Sequence, residues 1–198
     1  MTHYYSERPT TSGKTTIIRT FQLGNPLIFK SQSGIFSWRE VDTGSEVLVD
    51  NVILPKKGDI LDFGCGYGFI GIALAKAHPN LQFILTDINK LAVKLTKENC
   101  KHNEVQTNTQ VHQGDLFEPI SNKYFDVIIT NPPLMAGKKI LKKIVKQSKS
   151  HLKENGSFQL VVPKKKGLIS IQKMLDEEFE SHEELKRDSG YWVLRAEK

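Results

Sequence analysis

The sequence predicts an α/β fold: a seven-stranded, mostly parallel sheet with helices on both faces and a C-terminal antiparallel hairpin. Three observations carry that expectation. From about residue 58, short apolar runs alternate with stretches of helical periodicity, which is the pattern of βα units around a parallel sheet. Gly64, Gly66 and Gly68 come directly after the first apolar run and precede the first helix, so a sharp turn joins the two. Beyond Phe179 two short strand-like runs flank Asp188-Ser189-Gly190, a turn sequence.

Taken in order, the first strand is Asp59–Phe63. A helix continues through Ile70, Ile72, Ala73, Leu74 and Ala77 and stops at His78-Pro79-Asn80. Leu81–Thr86 is the second strand, running into Asp87, and Lys90–His102 is the second helix. A third strand around Thr109–His112 leads to Gly114-Asp115, and a fourth, Phe125–Thr130, runs into Asn131-Pro132-Pro133. The next helix, from about Lys138 to Leu152, is amphipathic. Leu141, Ile144, Val145, Ser148 and Leu152 share one stripe, while Lys138, Lys142, Lys146, Lys149 and Lys153 share another. Glu154-Asn155-Gly156 ends it; Ser157–Val162 is the fifth strand, succeeded by a helix through Leu168, Ile171, Leu175 and Phe179. His182–Lys186 and Tyr191–Arg195 make the hairpin. Residues 1–57 are less regular. Leu27–Lys30 and Gly34–Phe36 read as short strands, and Ser45–Val52 as a helix capped by Ser45, together a cover over the sheet.

A chain of 198 residues suits one domain, 1–198, divided into the cover (1–57) and a Rossmann-like core (58–198). No apolar run approaches the roughly 18 residues of a membrane span, and the N-terminus lacks the pattern of a secretory signal, so a cytoplasmic protein without membrane contact is expected. Two cysteines, Cys65 and Cys100, allow neither a disulfide framework nor a four-cysteine zinc site. The six histidines show no ligand spacing, and no metal is expected. The net charge of +6 points weakly to a polyanionic partner.

The glycine loop is ambiguous by itself. Gly66-Tyr67-Gly68-Phe69-Ile70-Gly71 also spells the dinucleotide fingerprint, with Asp87 at the distance that fold requires. Asp62, at the strand's end two residues before Gly64, argues against it. A carboxylate there repels a pyrophosphate but attracts the ammonium and sulfonium charges of S-adenosylmethionine. Asp87 stands where its carboxylate can accept ribose hydroxyls or cap the next helix, and Asp115 where it can accept from an adenine amine or simply form a turn.

Asn131-Pro132-Pro133-Leu134 lies at the carboxyl edge of the predicted sheet, where open α/β folds bind ligands. The two prolines fix φ and restrict Asn131 to an extended backbone. An exocyclic amine on a base is a poor nucleophile because its lone pair is delocalised. Two uncharged acceptors, the Asn131 side-chain oxygen and the Pro132 carbonyl, would hold its N–H groups and favour a pyramidal nitrogen, so that positioning and local electrostatics drive the transfer.

By these residues the chain resembles the class I S-adenosylmethionine-dependent methyltransferases. The shared motifs are DxGxGxG at 62–68, the acid at 87, Gly114-Asp115 and Asn131-Pro-Pro-Leu, the last matching the amino-methylating branch. More closely it resembles the "methyltransferase small" family of ribosomal RNA guanine-N2 methyltransferases, in a compact archaeal-type form. That likeness includes His3-Tyr-Tyr-Ser-Glu-Arg-Pro9, Gly34-Ile-Phe-Ser37, Asp42-Thr-Gly-Ser45 and Pro132-Pro-Leu-Met-Ala-Gly-Lys138, nearly the whole chain. The resemblance implies that Asp62, Gly64, Gly66, Gly68, Asp87 and Asp115, flanked by Cys65, Tyr67, Ile88 and Leu116, bind the cofactor. It places Thr43-Gly44-Ser45 near the cofactor's methionine end, and Asn131, Pro132, Pro133 and Leu134 at the target amine. Two departures stand out: Leu134 occupies a position that is often aromatic, and the larger bacterial members carry a further N-terminal domain.

Ten lysines and one acid, Glu154, lie between residues 138 and 166. Lys138 and Lys139 fall in a first helical turn, where the macrodipole disfavours cations, and Lys164, Lys165 and Lys166 fill the loop after the fifth strand. Charge placed against local preference beside the expected site suits a phosphate backbone, hence a structured RNA such as ribosomal RNA or a ribosomal subunit. Phe36, Trp38 and Tyr5 are candidates for stacking on bases or for core packing. Two rival readings remain: methylation of a glutamine side-chain amide in a protein, and a non-catalytic module that binds RNA or a partner.

Overall fold

The N-terminal segment folds first into a hairpin, β1 (Thr15–Gln22) and β2 (Asn25–Gln32), and then into helix α1 (Thr43–Asn51). The computed structural model describes residues 6–7 and 13–198. After α1 come β3 (Gly58–Phe63), α2 (Phe69–Ala77), β4 (Leu81–Asp87), α3 (Lys90–His102), β5 (Thr109–Gln113) and β6 (Phe125–Thr130). The chain continues through α4 (Lys138–His151), β7 (Leu152–Pro163), α5 (Leu168–Phe179), β8 (Glu183–Asp188) and β9 (Tyr191–Glu197). Seven strands form one sheet in the order β5-β4-β3-β6-β7-β9-β8. The first five of these are parallel, and β9 is antiparallel to both its neighbours. The expected seven-stranded architecture with a terminal hairpin is the one observed.

Burial is nearly continuous along the central strands because both faces are covered, and successive side chains alternate between two cores. Ile60, Phe83, Leu85, Ile129 and Val161 join one core with α1, α2, α3 and the N-terminal hairpin. Leu61, Ile84, Ile128, Leu160 and Val162 join a second core with α4 and α5. Each such side chain contributes about 1.5–3 kcal/mol by leaving water. A polar residue in these rows therefore needs a partner, and Asp62, which alternates onto the face of α2, finds one in that helix.

The hairpin is tied to α3 by two asparagines one turn apart. Asn103 pairs with both backbone groups of Ile28, and Asn99 with both of Lys30, so the outer edge of β2 is satisfied as another strand would satisfy it. The Asn99 amide also donates to the carbonyl of Tyr67, which links the hairpin to the glycine loop.

Several local expectations need correction. Asp42, not Ser45, caps α1: its carboxylate accepts the Ser45 N–H at 2.8 Å, and the helix starts at Thr43. Gly34–Phe36 is a turn rather than a strand, because Gly34 at φ 98° and Ser37 at φ 49° are both left-handed. The strand Leu27–Lys30 is the middle of the longer β2, and β1 was not anticipated. Glu154–Gly156 does not separate helix from strand; α4 passes directly into β7, and the irregularity appears as a shifted register there, with Asn155 at φ 62°. The connection after β5 is a single 3-10 turn, Glu118–Ile120. The stripe Leu141, Ile144, Val145, Ser148 and Leu152 is buried as expected.

Candidate active site

The strand order reverses between β3 and β6, and a cleft of about 690 Å3 opens there at the carboxyl ends of the strands. Its floor is the glycine turn. Gly64, Gly66 and Gly68 sit at φ 74°, 59° and 96°, a backbone that an L side chain strains to adopt. At Gly64 a Cβ would project into open space, and at Gly66 it would come no closer than 3.8 Å to Ile35, so a ligand can lie against this backbone. Gly68 and Gly71 have a different role. A Cβ on Gly68 would stand 2.7 Å from Ile72 Cδ1, and one on Gly71 2.6 Å from Leu85 Cδ2. The last two glycines thus let α2 pack against the sheet and α3, and do not border the cleft.

Asp87 closes β4 with its carboxylate at the cleft. Oδ2 accepts the Gly66 N–H and Oδ1 the Asn89 N–H, each at 2.8 Å, leaving further lone pairs for a ligand's hydroxyls. Burial raises the carboxyl to about 6 against the pull of the Asn89, Gly66 and Ile88 N–H groups. The helix cap it was a candidate for is Asn89 instead, which accepts from Leu91 and Ala92. Asp62 lies behind the loop rather than in it: Oδ2 accepts the Gly71 N–H at 2.8 Å, and Oδ1 is buried with no partner among the described residues. Burial pushes its carboxyl up to about 7, the Gly71 bond opposing and the Asp87 charge adding to the rise.

Across the cleft, Pro133 (φ −74°, ψ 79°) makes a three-residue turn in which the Leu134 N–H donates to the Pro132 carbonyl at 2.8 Å. One of that carbonyl's lone pairs is therefore used, and the other remains. The Asn131 amide nitrogen donates to Asp42 Oδ2 at 2.8 Å and to Ser45 Oγ at 3.0 Å. Because a carboxylate only accepts, this contact fixes which end of the amide faces away, and Oδ1 takes no hydrogen bond among the described residues.

The cleft brings together Gly64, Cys65, Gly66, Tyr67, Asp87, Ile88, Asp115, Leu116, Ser45 and the whole Asn131–Leu134 loop, with Lys165 and Lys166 at its margin. Thr43, Gly44, Asp62, Gly68, Lys138, Lys139 and Lys164 are not in its lining. Gly44 leaves room for the Tyr191 ring, which does line it, and burial with the Asp42 charge raises the Tyr191 hydroxyl. Lys138, Lys139 and Lys164 are exposed. Three other lysines of the basic run are held elsewhere: Lys142 by Glu177, Lys149 by the Glu178 carbonyl, and Lys153 by Asp59 and Asp126. Phe36 borders the cleft, Trp38 packs against the first core, and Tyr5 lies outside the described residues, as does most of the His3–Pro9 segment. Sequence reasoning missed Asp42 and Tyr191, although Asp42 heads an Asp-Thr-Gly-Ser run in which it is as good a capping residue as Ser45. Among the described residues no group of three His, Cys, Asp or Glu side chains could hold a metal, and no helix is long and apolar enough to cross a membrane.

An open glycine backbone, an acidic acceptor at the next strand's end and a clamped amide opposite fit a cationic nucleoside cofactor. A sheet of this order with such a cleft at its switch point is that of the class I S-adenosylmethionine-dependent methyltransferases. The family model described as the methyltransferase small domain matches residues 26–195, and the chain belongs to that family. The uncharacterized protein YbxB of Bacillus subtilis (strain 168) is 41% identical over 200 residues, covering 99% of this chain and 98% of that protein. Ribosomal RNA small subunit methyltransferase C of Haemophilus influenzae (strain PittGG) is 37% identical over 150 residues, 72% of this chain and 44% of that protein. Among solved structures, the T. thermophilus 16S rRNA N2 G1207 methyltransferase, in complex with AdoMet and guanosine, superposes with a TM-score of 0.81 at 24% identity. The match covers 96% of this chain and 51% of that one. The chain thus spans about half the length of the ribosomal RNA methyltransferases it matches, and nearly all of the Bacillus protein.

Proposed function

We propose that the chain is an S-adenosylmethionine-dependent N-methyltransferase acting on RNA, at the exocyclic N2 amine of a guanine in ribosomal RNA. The observation that carries this reading is the clamped amide of Asn131, whose nitrogen is held by Asp42 and Ser45 while its oxygen is left for an N–H donor. S-adenosylmethionine, when bound, supplies a methyl group on a positively charged sulfur. The chain's task is to bring a nitrogen lone pair to it.

Gly64 and Gly66 let the cofactor approach the backbone, Asp87 accepts its ribose hydroxyls, and Asp115 accepts from its adenine amine. Asp62 acts from behind the loop as a buried carboxyl rather than by direct contact. On the substrate side, Asn131 Oδ1 and the second lone pair of the Pro132 carbonyl accept the two N–H groups of the amine. That arrangement localises the nitrogen lone pair, and the proton shed on alkylation passes to solvent. Pro133 and Leu134 cover the base. Lys165 and Lys166 at the margin, with exposed Lys138, Lys139 and Lys164 beyond, suit the phosphates of a folded RNA. The names of the Haemophilus and T. thermophilus relatives support the ribosomal substrate, which also implies a cytoplasmic enzyme.

The test is to incubate the protein with methyl-labelled cofactor and, separately, ribosomal subunits, bulk RNA and a release factor. Label in ribosomal RNA is expected. Label in the release factor alone would transfer the assignment to a glutamine amide, and bound cofactor with no transfer to any of them would indicate a binding module.

A further inference from the structure

The proposed chemistry leaves one polar atom of the cleft without a task. Asp42 borders the cleft beside Asn131, and all its side-chain hydrogen bonds fall on one oxygen. Oδ2 accepts from the Ser45 N–H at 2.8 Å, the Ser45 hydroxyl at 3.2 Å and the Asn131 amide at 2.8 Å. Oδ1 takes none from the described residues, and it is not among the buried unpaired atoms. A helix cap and an amide clamp need a single acceptor, which asparagine or serine also supplies. The second oxygen is surplus to both.

Asp42 and Asn131 line the cleft as hydrogen-bonded neighbours, so Oδ1 of each side chain is an acceptor that the other does not use. The Watson–Crick edges of the aminated bases differ at the atom next to the amine. Guanine carries N1–H, a donor, beside its N2 amine; adenine carries a bare N1 beside N6, and cytosine a bare N3 beside N4. A carboxylate oxygen accepts from the first and repels the lone pair of the others. We infer that Asp42 selects the target base: Oδ1 accepts the N1–H of guanine while Oδ2 holds the Asn131 amide that receives the N2 amine. This rests on the guanine-N2 reading and makes Asp42 the residue that joins base choice to amine positioning. Base choice then does not depend on an aromatic residue at position 134, where the chain has Leu134.

The experiment begins with wild-type methyl transfer to an unmodified small-subunit ribosomal RNA transcript; absence of transfer there, with cofactor bound, removes the guanine reading itself. Transfer is then competed with guanosine and with 2-aminopurine riboside, which keeps the N2 amine but has a bare N1. Guanosine is expected to inhibit the wild type at a concentration at least about ten-fold lower. In Asp42→Asn the substituted amide keeps the cap and the Asn131 contact but can turn a donor toward N1, and the gap is expected to shrink to within about three-fold at unchanged cofactor affinity. Ser45→Ala removes one anchor of Asn131 without touching Asp42 Oδ1, so kcat is expected to fall while the gap persists. The inference is overturned if the wild type does not distinguish the two nucleosides. It is equally overturned if Asp42→Asn lowers kcat and leaves the gap intact, since Asp42 would then only orient Asn131.

Discussion

Asn131 is held at both ends: Pro132, next in the chain, restricts its backbone, while Asp42 and Ser45 across the cleft fix its side chain. Asn131→Ala is therefore expected to reduce transfer by about a hundred-fold or more, by analogy with loss of one preorganised polar contact, with cofactor affinity retained by calorimetry. Asp62 poses a different question, because its carboxyl is raised by burial to about 7. A raised carboxyl binds its proton more tightly folded than unfolded. Its contribution to stability is then fully present near pH 4 and lost as pH climbs through 7. Asp62→Asn removes that dependence, so without cofactor its melting temperature is expected to match the wild type near pH 4 and exceed it at pH 8. A constant offset across that range would contradict a neutral, buried Asp62. The sequence showed this acid at the strand's end but not its direction. Strand alternation turned it onto α2, behind the loop, whereas Asp42 reaches the site from the start of α1, 89 residues before the Asn131 it holds.

At the scale of elements, one stretch of glycines serves two purposes, and substitution separates them. Gly71→Ala would drive a methyl into Leu85 and Asp62, an overpacking that costs roughly 1–3 kcal/mol. That lowers the melting temperature by about 2–12 °C in a chain of this size. Gly64→Ala has open space around it and bears only the left-handed strain of about 1–2 kcal/mol, yet it would obstruct the cofactor. It is expected to lose more cofactor affinity than stability, and Gly71→Ala the reverse, which paired melting and binding measurements would resolve. The parallel strands were legible because each is an apolar run ending in turn chemistry. The N-terminal hairpin was less so. β1 is rich in Thr and Ile, but its turn at Leu23-Gly24 places a leucine at φ 48°, a position that gives no turn signal in sequence. Its docking depends on Asn99 and Asn103 acting as a substitute strand edge, an interaction visible only after folding.

For the molecule as a whole, the decisive arrangement is a cleft lined by Asp42, Asp87 and Asp115 with a basic margin. Lys165 and Lys166 stand on that margin, while Lys142, Lys149 and Lys153 are engaged elsewhere on the surface, so the total charge of the basic run overstates what faces a substrate. Replacing Lys165 and Lys166 together with Ala is expected to raise KM for ribosomal RNA and leave kcat nearly unchanged. It should also reduce the slope of log affinity against log salt by roughly 0.7–0.9 per lysine. The measurement closest to the central claim is mass spectrometry of nucleosides from an unmodified small-subunit ribosomal RNA transcript after incubation with methyl-deuterated cofactor. Label in N2-methylguanosine, lost in Asn131→Ala, is the expected result. Label in another nucleoside, or N2-methylguanosine formed equally well by Asn131→Ala, would contradict it.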